Sequence, residues 1–223
     1  MTFEPSIGLD EVGRGAWAGP FVACAVLVRE GERQIRGVRD SKLLSSTQRE
    51  KIAPQLKESH AFGLGIVTVE ELDAIGMTKA QILVFERAIQ ELQTPLHLPF
   101  KSRGENERSL RSRTPPLFLK GRLGGVWTDG LSIKSHPEWT ATIKGDQKLY
   151  SIAAASIIAK VARDHMMCDL HTQDPRYGFD QHKGYGTALH QRLLKEHGPS
   201  VHHRRLFEPI RKMYTEEAIS FKK

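Results

Sequence analysis

Cysteine is scarce in this chain, with two residues among 223. Cys24 and Cys168 both lie in apolar surroundings, and their spacing is not that of a metal site. We interpret both as reduced, buried side chains of a cytoplasmic protein.

Long apolar runs are missing as well. No uninterrupted run approaches the roughly 18 residues that a membrane span needs, and no basic segment leads into an apolar one at the N-terminus. The chain also lacks a nucleotide-cradling P-loop, an HExxH motif and a recognisable Ser-His-Asp set. We therefore expect a cytoplasmic protein without a membrane partner, whose chemistry uses none of these motifs.

Acidic residues are outnumbered, because 33 lysines and arginines face 26 aspartates and glutamates for a net charge of +7. A basic balance favours a polyanionic partner, and nucleic acid ahead of a membrane surface. Hydrophobic residues make up 39%, which is enough for a substantial core. The length suits one large domain or a domain with a small appendage, and we predict a single domain over residues 1–223.

Two adjacent acids form the most informative feature of the chain. Asp10 and Glu11 follow a short apolar run, and Gly13, Arg14 and Gly15 come after them. Neighbouring side chains of a strand point to opposite faces, so the two acids share one site only if the strand ends there. The glycines permit a sharp turn and expose backbone N–H groups beside a guanidinium, which suits a phosphate or a sugar hydroxyl. The stretch predicts a carboxylate metal site beside a nucleic-acid clamp; a charged surface turn is the alternative.

Two later acids share this setting. Asp129 and Asp146 each stand beside a glycine near the end of a predicted strand. Active sites of α/β sheets gather where strands end, so we expect these acids to converge with Asp10 and Glu11. Four carboxylates suit hard cations such as Mg²⁺ or Mn²⁺, and two such ions would support phosphodiester cleavage. A basic protein with this set is predicted to be a metal-dependent nuclease.

Apolar patterning predicts an α/β fold with a mixed sheet rather than a fully wound Rossmann order. Strands are predicted over 7–9, 21–28, 60–69, 117–119, 125–128 and 139–143. Helices are predicted over 46–57 with Ser46 or Thr47 as the cap, over 70–76, from 78 onwards, and over 150–167, 188–197 and 209–219. The polar, charged segment 100–116 has no periodicity and is predicted to be a flexible surface insertion.

Six motifs resemble those of the ribonuclease HII family. They are GLDEVGRGAWAGP (8–20), DSK (40–42), TDG (128–130), KGDQKLYSIAAASIIAKVARD (144–164), YGFDQHKGYGT (177–187) and HHRRLFEPIR (202–211). Together they cover most of the chain outside the insertion. The resemblance implies a ribonuclease-H-like mixed sheet flanked by helices, with a helical C-terminal part over about 165–223 that grips the substrate.

The resemblance also implies an activity and its residues. The enzyme would cleave the RNA strand of RNA–DNA hybrids and nick duplex DNA on the 5′ side of single ribonucleotides, leaving 3′-hydroxyl and 5′-phosphate ends. It would thereby remove misincorporated ribonucleotides and RNA primers. The catalytic residues, which would hold two Mg²⁺ or Mn²⁺ ions, would be Asp10, Glu11, Asp129 and Asp146. The ribonucleotide would be read by Gly13, Arg14 and Gly15, and Tyr185 would stack on the next deoxyribose.

Other polar residues of these motifs keep more than one interpretation. Lys42 is either a phosphate ligand or a solvated lysine, and Lys183 is expected to contact phosphate. Asp164 fits a helical ion pair better than a catalytic role. His202 and His203 lack the spacing of a zinc site and fit phosphate contact or packing.

Two other functional classes stay open on the sequence. A nucleic-acid-binding module of the same fold would bind hybrid without turnover. Another nuclease of the ribonuclease-H-like fold would cut all-DNA duplex equally well. We expect a monomer and predict no particular protein partner.

Overall fold

The computed structural model describes residues 5–93, 125–130 and 132–220, with side chains given up to 214. The predicted insertion over 100–116 and the predicted strand over 117–119 lie outside the described residues. The chain forms two compact units. The first unit comprises Met1–Glu11, Ala23–Gly65 and Val84–Val161, and the second unit comprises Val12–Val22, Ile66–Leu83 and Ala162–Lys223. The single domain over residues 1–223 and the substrate-gripping role of residues 165–223 stay predictions.

In the described part of the chain, five strands form one sheet: β1 (Ser6–Val12), β2 (Phe21–Val28), β3 (Ala61–Val67), β4 (Val126–Asp129) and β5 (Trp139–Thr142). The sheet is mixed, which confirms the predicted fold class. They lie in the order β3-β2-β1-β4-β5. β4 runs parallel to both its neighbours, with Leu9 opposite Thr128 and Asp129 opposite Thr142. Parallel strands end at the same edge, so the acids of β1 and β4 are brought to that edge.

The described helices are α1 (Ser46–Ser59), α2 (Val69–Leu92), α3 (Gly145–Lys148), α4 (Tyr150–Gln173), α5 (Phe179–His182), α6 (Ala188–His197) and α7 (Glu208–Ser220). Single 3₁₀ turns lie at Ser41–Leu43 and Pro175–Tyr177. Gly76 adopts φ 76° inside α2, which confirms the predicted break there. None of the described helices is both long and apolar enough to cross a membrane.

The predicted cap of α1 at Ser46 or Thr47 is wrong. Ser45 is the N-cap, because its extended backbone lets the Oγ accept the Gln48 N–H at 3.2 Å. The Gln48 Oε1 in turn accepts the Ser45 N–H at 2.8 Å, which completes a capping box. Glu50 follows Thr47 at the same three-residue spacing as Gln48 follows Ser45, so spacing alone did not distinguish the two pairs.

Glycines in the strands let helices approach closely in the first unit. A Cβ on Gly8 of β1 would lie 2.2 Å from the Ser151 carbonyl carbon at the start of α4. A Cβ on Gly65 of β3 would lie 1.8 Å from the Val84 carbonyl oxygen of α2. These contacts replace side-chain packing by backbone-to-backbone packing, and they hold α4 against the strand that carries Asp10 and Glu11.

The second unit has its own apolar core. It is formed by Ala18, Met167, Tyr177, Phe179, Leu194 and Ile210. Close approach matters here as well, because a Cβ on Gly184 would lie 2.4 Å from the Ala18 carbonyl oxygen. The Gly184 carbonyl accepts the Trp17 N–H at 2.8 Å, so residues 17–18 and 184 are held as neighbours.

Candidate active site

Asp10 and Glu11 both lie inside β1, which continues to Val12. The expectation that the strand ends at the acids is wrong, because the backbone turns only at Gly13, where φ reaches 88°. Asp10 is buried with 8% of its surface exposed, whereas Glu11 is half-buried. The Glu11 N–H donates to the Asp10 Oδ1 at 2.8 Å, which fixes the orientation of the first carboxylate.

Burial raises the pKa of Asp10 well above its usual value, and the charges of Glu11 and Asp129 raise it further. A hydrogen bond from the Ser156 hydroxyl opposes this shift by stabilising the anion. The Ser156 Oγ lies 2.7 Å from the Ser41 Oγ, so a hydroxyl on α4 and one on the Ser41–Leu43 turn form a chain that ends on Asp10. The carboxylate is therefore buried among acids but kept in place by a donor.

Asp129 and Asp146 are joined through the start of α3. Asp129 ends β4, and its Oδ1 accepts the N–H of Gly145 at 2.7 Å. Lys144 precedes this helix in the left-handed conformation (φ 54°), which turns the chain back after β5. Asp146 follows directly and is buried, with 3% exposed. The predicted strand-end position is thus right for Asp129, while Asp146 lies on a short helix.

Asp146 has a perturbed carboxyl group. Its pKa is raised to about 6, first by burial and then by the charges of Asp129 and Asp40. The Lys42 Nζ lies 4.0 Å from the Asp146 Oδ2 and opposes that shift. Burial tends to lower the pKa of Lys42, but the surrounding carboxylates outweigh it and raise the pKa, led by Asp146.

Asp40 is the residue of this site that sequence reasoning missed. It is buried, its Oδ1 accepts the Lys42 N–H at 2.9 Å, and its Oδ2 accepts from the Gln147 Nε2 at 3.4 Å. Burial raises its pKa, but these donors, the Lys42 charge and a hydrogen bond with Asp146 leave it lowered. The DSK motif contained the signal, yet only its lysine was assigned a role.

The four predicted acids are therefore electrostatic neighbours in the first unit. The charges of Glu11 and Asp129 contribute to the raised pKa of Asp10, and the charge of Asp129 contributes to that of Asp146. Mutual repulsion of buried carboxylates is what a divalent cation would relieve, and the donor set of hard oxygens suits Mg²⁺ or Mn²⁺. Among the residues described, no group of three or more histidine, cysteine or acidic side chains is already arranged to hold a metal ion. The chemistry of the donors fits the ions, while a closed ligand shell is not preformed.

The second unit contains the predicted clamp. Arg14 and Gly15 are exposed, whereas Gly13 is buried with φ 88°. A Cβ on Gly13 would lie 2.2 Å from the Arg163 Nε, and one on Gly15 would meet nothing within 4 Å. Both the backbone conformation and the packing therefore require a glycine at position 13, whereas the packing at position 15 does not.

Lys183 and Tyr185, also in the second unit, lie on a turn after α5. Lys183 adopts the left-handed conformation (φ 52°), and its Nζ donates to the Asp180 carbonyl and lies 3.4 Å from the Cys168 Sγ. The guanidinium of Arg163 lies over the ring of Tyr185, 5.5 Å from its centroid. The expected phosphate contact of Lys183 and sugar contact of Tyr185 stay predictions.

Buried histidines surround the base of this turn. The His203 Nδ1 accepts from the Ser200 N–H at 3.0 Å, and its Nε2 lies 3.0 Å from the His190 Nε2. The His190 Nδ1 lies 3.0 Å from the Tyr185 carbonyl oxygen, which can only accept. These contacts require both rings to be neutral, with protons on the His203 Nε2 and the His190 Nδ1. Of the two interpretations offered for His203, phosphate contact and packing, its buried position fits packing.

One known protein family matches most of this chain. The family model described as ribonuclease HII matches residues 7–100 and 130–210. A ribonuclease HII of Burkholderia pseudomallei (strain 668) is 39% identical over 208 residues, covering 93% of this chain and 85% of that protein.

Two solved structures share the fold. The ribonuclease HII of Archaeoglobus fulgidus, solved in complex with PCNA, has a TM-score of 0.67 at 23% identity over 91% of this chain and 95% of its own. The Bst-RNase HIII structure with Mn²⁺ has a TM-score of 0.67 at 19% identity, covering all of this chain and 72% of its own. The residues matched, the identity to the curated relative and the shared fold lead to one conclusion: this chain belongs to the ribonuclease HII family and is a nuclease of the hydrolase class.

Proposed function

We propose that the protein nicks duplex DNA on the 5′ side of embedded single ribonucleotides and cleaves the RNA strand of RNA–DNA hybrids. The products carry 3′-hydroxyl and 5′-phosphate ends. The observation that carries this proposal is the set of coupled carboxylates in the first unit, in a chain that belongs to a ribonuclease family. Its role in the cell is the removal of misincorporated ribonucleotides and RNA primers.

Asp10, Glu11, Asp129 and Asp146 would hold two divalent ions, Mg²⁺ or Mn²⁺. When bound, such a pair supplies an activated water and charge stabilisation for the leaving oxygen. The protein's own contribution is to gather the carboxylates, at the cost of the burial and mutual repulsion that raise the pKa values of Asp10 and Asp146. A Mn²⁺ complex of the structural neighbour Bst-RNase HIII supports this choice of ion.

The chain's side chains prepare this set for metal binding. The Ser156 hydroxyl favours the ionised form of Asp10, and Asp129 is oriented by the N–H of Gly145. The exposed Lys42 ammonium lies at Asp146, where it can meet a substrate phosphate. These contacts restrict the orientations of the carboxylates, which reduces the rearrangement needed on metal binding.

Substrate recognition is assigned to residues of the second unit and to Lys42. Gly13, Arg14 and Gly15 read the ribonucleotide through its 2′-hydroxyl and adjacent phosphates, because the 2′-hydroxyl is the group that distinguishes RNA from DNA at a site. Tyr185 stacks on the following deoxyribose, and Lys183 contacts phosphate. The exposure of Arg14 and Gly15 supports this role.

The test uses a DNA duplex with one ribonucleotide, the full chain and Mg²⁺ or Mn²⁺. We expect one nick on the 5′ side of the ribonucleotide, mapped by denaturing electrophoresis, and no cleavage in EDTA. Asp146→Asn should abolish nicking, keep duplex binding, and weaken Mn²⁺ binding measured by titration calorimetry. The matched control is Asp169→Asn, since Asp169 is exposed.

The outcomes separate the functional classes. Binding without any nick would favour a binding module and contradict the proposal. Equal cutting of an all-DNA duplex would favour a nuclease without ribonucleotide preference. Asp146→Asn with unchanged nicking would remove the assigned role of that carboxylate.

A further inference from the structure

Two arginines of the second unit are completely buried. Arg163, on α4, and Arg204, just before α7, have no measurable exposed surface. Burying a guanidinium is expensive unless its N–H groups are satisfied, so their partners show what each cation stabilises.

Arg204 donates to backbone carbonyls of the 13–20 turn through its Nε and both Nη atoms. Its Nη1 donates to the carbonyls of Gly13 (2.6 Å) and Arg14 (3.3 Å). Its Nε donates to Gly19 at 2.9 Å and its Nη2 to Pro20 at 3.0 Å. The planar fork thus binds both ends of the turn at once, which an ammonium cannot reproduce.

These bonds determine the orientation of the clamp's peptide groups. In a trans peptide, the C=O of one residue and the N–H of the next point in opposite directions. Turning the carbonyls of Gly13 and Arg14 onto Arg204 therefore turns the N–H groups of Arg14 and Gly15 away from it. Two successive N–H groups on one side of a turn form a concave site for anionic or hydroxyl oxygens.

Arg163 joins a second segment to the same turn. It donates to the carbonyls of Pro20 (2.9 Å) and Ala18 (3.1 Å), and its Nη1 donates to the carbonyl of Lys183 at 2.9 Å. The Pro20 carbonyl accepts from both arginines. The two cations therefore hold the 13–20 turn together: Arg163 donates to carbonyls at its far end, whereas Arg204 donates at both ends and alone reaches the carbonyls of Gly13 and Arg14.

The electrostatic cost of this arrangement is visible. Burial and then the nearby charge of Arg163 lower the pKa of Arg204 to about 9. Two like charges are thus buried together, and the carbonyls of one turn receive most of their hydrogen bonds. A purely apolar core would avoid that cost, so the arginines' benefit is the fixed geometry of the turn.

We propose that Arg204 is a positioning residue for substrate recognition, which orients the N–H groups of Arg14 and Gly15 towards the sugar-phosphate of the ribonucleotide without touching it. This inference rests on the proposed role of Gly13, Arg14 and Gly15. It assigns the discrimination for ribonucleotides to a buried guanidinium 191 positions after Gly13 in the chain.

The experiment compares Arg204→Lys with Arg176→Lys in the full chain. Arg176 lies in the same unit but is exposed and paired with Asp174, so it controls for the chemical change itself. Arg204→Lys should raise the KM for a one-ribonucleotide duplex about tenfold or more and leave kcat within about threefold, since the carboxylates are untouched. The ratio of Kd values for all-DNA and ribonucleotide duplex, measured in EDTA, should fall towards one.

A structural readout accompanies the kinetics. In ¹⁵N-labelled wild type, adding the duplex should shift the amide signals of Arg14 and Gly15. In Arg204→Lys without duplex, the Gly15 amide should already be displaced, whereas Arg163→Lys should displace the amides around Lys183 and Tyr185 and leave Gly15 close to its wild-type position. The wild-type titration decides the orientation even if Arg204→Lys fails to fold.

The possible failures are distinguishable. Wild-type protein that does not nick contradicts the proposed function, whereas nicking with unchanged KM, Kd ratio and Gly15 amide in Arg204→Lys contradicts only this inference. A fall in kcat with unchanged KM would also overturn it. A lower melting temperature with an unchanged Kd ratio would leave Arg204 with a structural role alone and contradict the assignment.

Discussion

At the scale of single residues, Gly13 combines an unusual backbone conformation with close packing. Its φ of 88° is one that side-chain-bearing residues rarely adopt, and a Cβ there would overlap the buried Arg163 side chain. Gly15, two residues later, has open space around it. The same sequence motif thus contains one glycine required by backbone conformation and packing and one that neither requires.

Gly13→Ala is therefore expected to lower the free energy of unfolding by about 1–3 kcal/mol through strain and overpacking. It should also weaken binding of a one-ribonucleotide duplex, because Arg163 is displaced. Urea unfolding and fluorescence anisotropy measure the two effects. Gly15→Ala is the control and should change stability by less than about 0.5 kcal/mol. Equal losses of stability in both variants would contradict this account.

The neutral histidine pair makes a second prediction at this scale. Burial, with smaller contributions from neighbouring histidines, lowers the pKa of His203 to about 3 and that of His190 to about 4. Unfolded histidine binds protons near pH 6.5, so below that pH the unfolded chain takes up more protons than the folded one. The stabilisation is complete above about pH 6.5 and is lost progressively as the pH falls towards 3.

We expect His203→Gln to flatten the dependence of unfolding free energy on pH between 7 and 4.5. Urea unfolding followed by circular dichroism at several pH values measures the slope. His165→Gln, at an exposed histidine, should keep the wild-type slope. An unchanged slope in His203→Gln would contradict the buried neutral state.

At the scale of elements, helix placement depends on missing side chains. Gly63 and Gly65 of β3 let the second half of α2 lie on the strand, with hypothetical Cβ distances of 2.3 and 1.8 Å to its backbone. Gly8 likewise lets α4 lie close to β1, and the Ser156 side chain of α4 donates a hydrogen bond to Asp10. The distance between the strand and the helix therefore determines where the Ser156 hydroxyl lies.

Gly65→Ala should accordingly destabilise the protein by about 1–3 kcal/mol, because the backbone of α2 must move to admit a methyl group. Differential scanning calorimetry measures the fall in melting temperature. Ile66→Val, which removes one methylene at the next position, is the control for a small change in this strand. A melting temperature within 1 °C of wild type in Gly65→Ala would contradict the close packing, since about 1 kcal/mol shifts it by a few degrees.

At the scale of the whole molecule, the chain has a net charge of +7, although acidic side chains are concentrated at the candidate site. The acidic cluster would repel a polyanion on its own, while the surplus of lysine and arginine over the rest of the chain attracts it. Affinity for duplex should therefore come largely from phosphate contacts that release counterions.

Binding of the one-ribonucleotide duplex in EDTA should weaken about tenfold or more between 50 and 200 mM salt, with log Kd rising linearly with log salt. Anisotropy titrations at four or five salt concentrations give the slope. Added sucrose, which leaves ionic strength constant, is the control. A Kd independent of salt would show that the basic surplus is not used for this substrate.

Local patterns were sufficient where the physics is local. β2 and α6 have their predicted bounds, because continuous burial and a threonine cap with helical spacing act within a few residues. The family motifs and the four acids could likewise be read from the chain, since their residue types and order are properties of the sequence. The fold class followed from the same patterns and is confirmed.

Only the tertiary structure decided which groups meet. Asp40 reaches Asp146, and Arg204 reaches Gly13, across 106 and 191 positions of chain that no short-range periodicity connects. The continuation of β1 through Glu11 and the choice of Ser45 as the cap of α1 were also visible only in the folded chain. The sequence determined the chemistry available, and packing determined which carboxylates are coupled and which carbonyls a buried guanidinium holds, because burial and desolvation exist only in the folded chain.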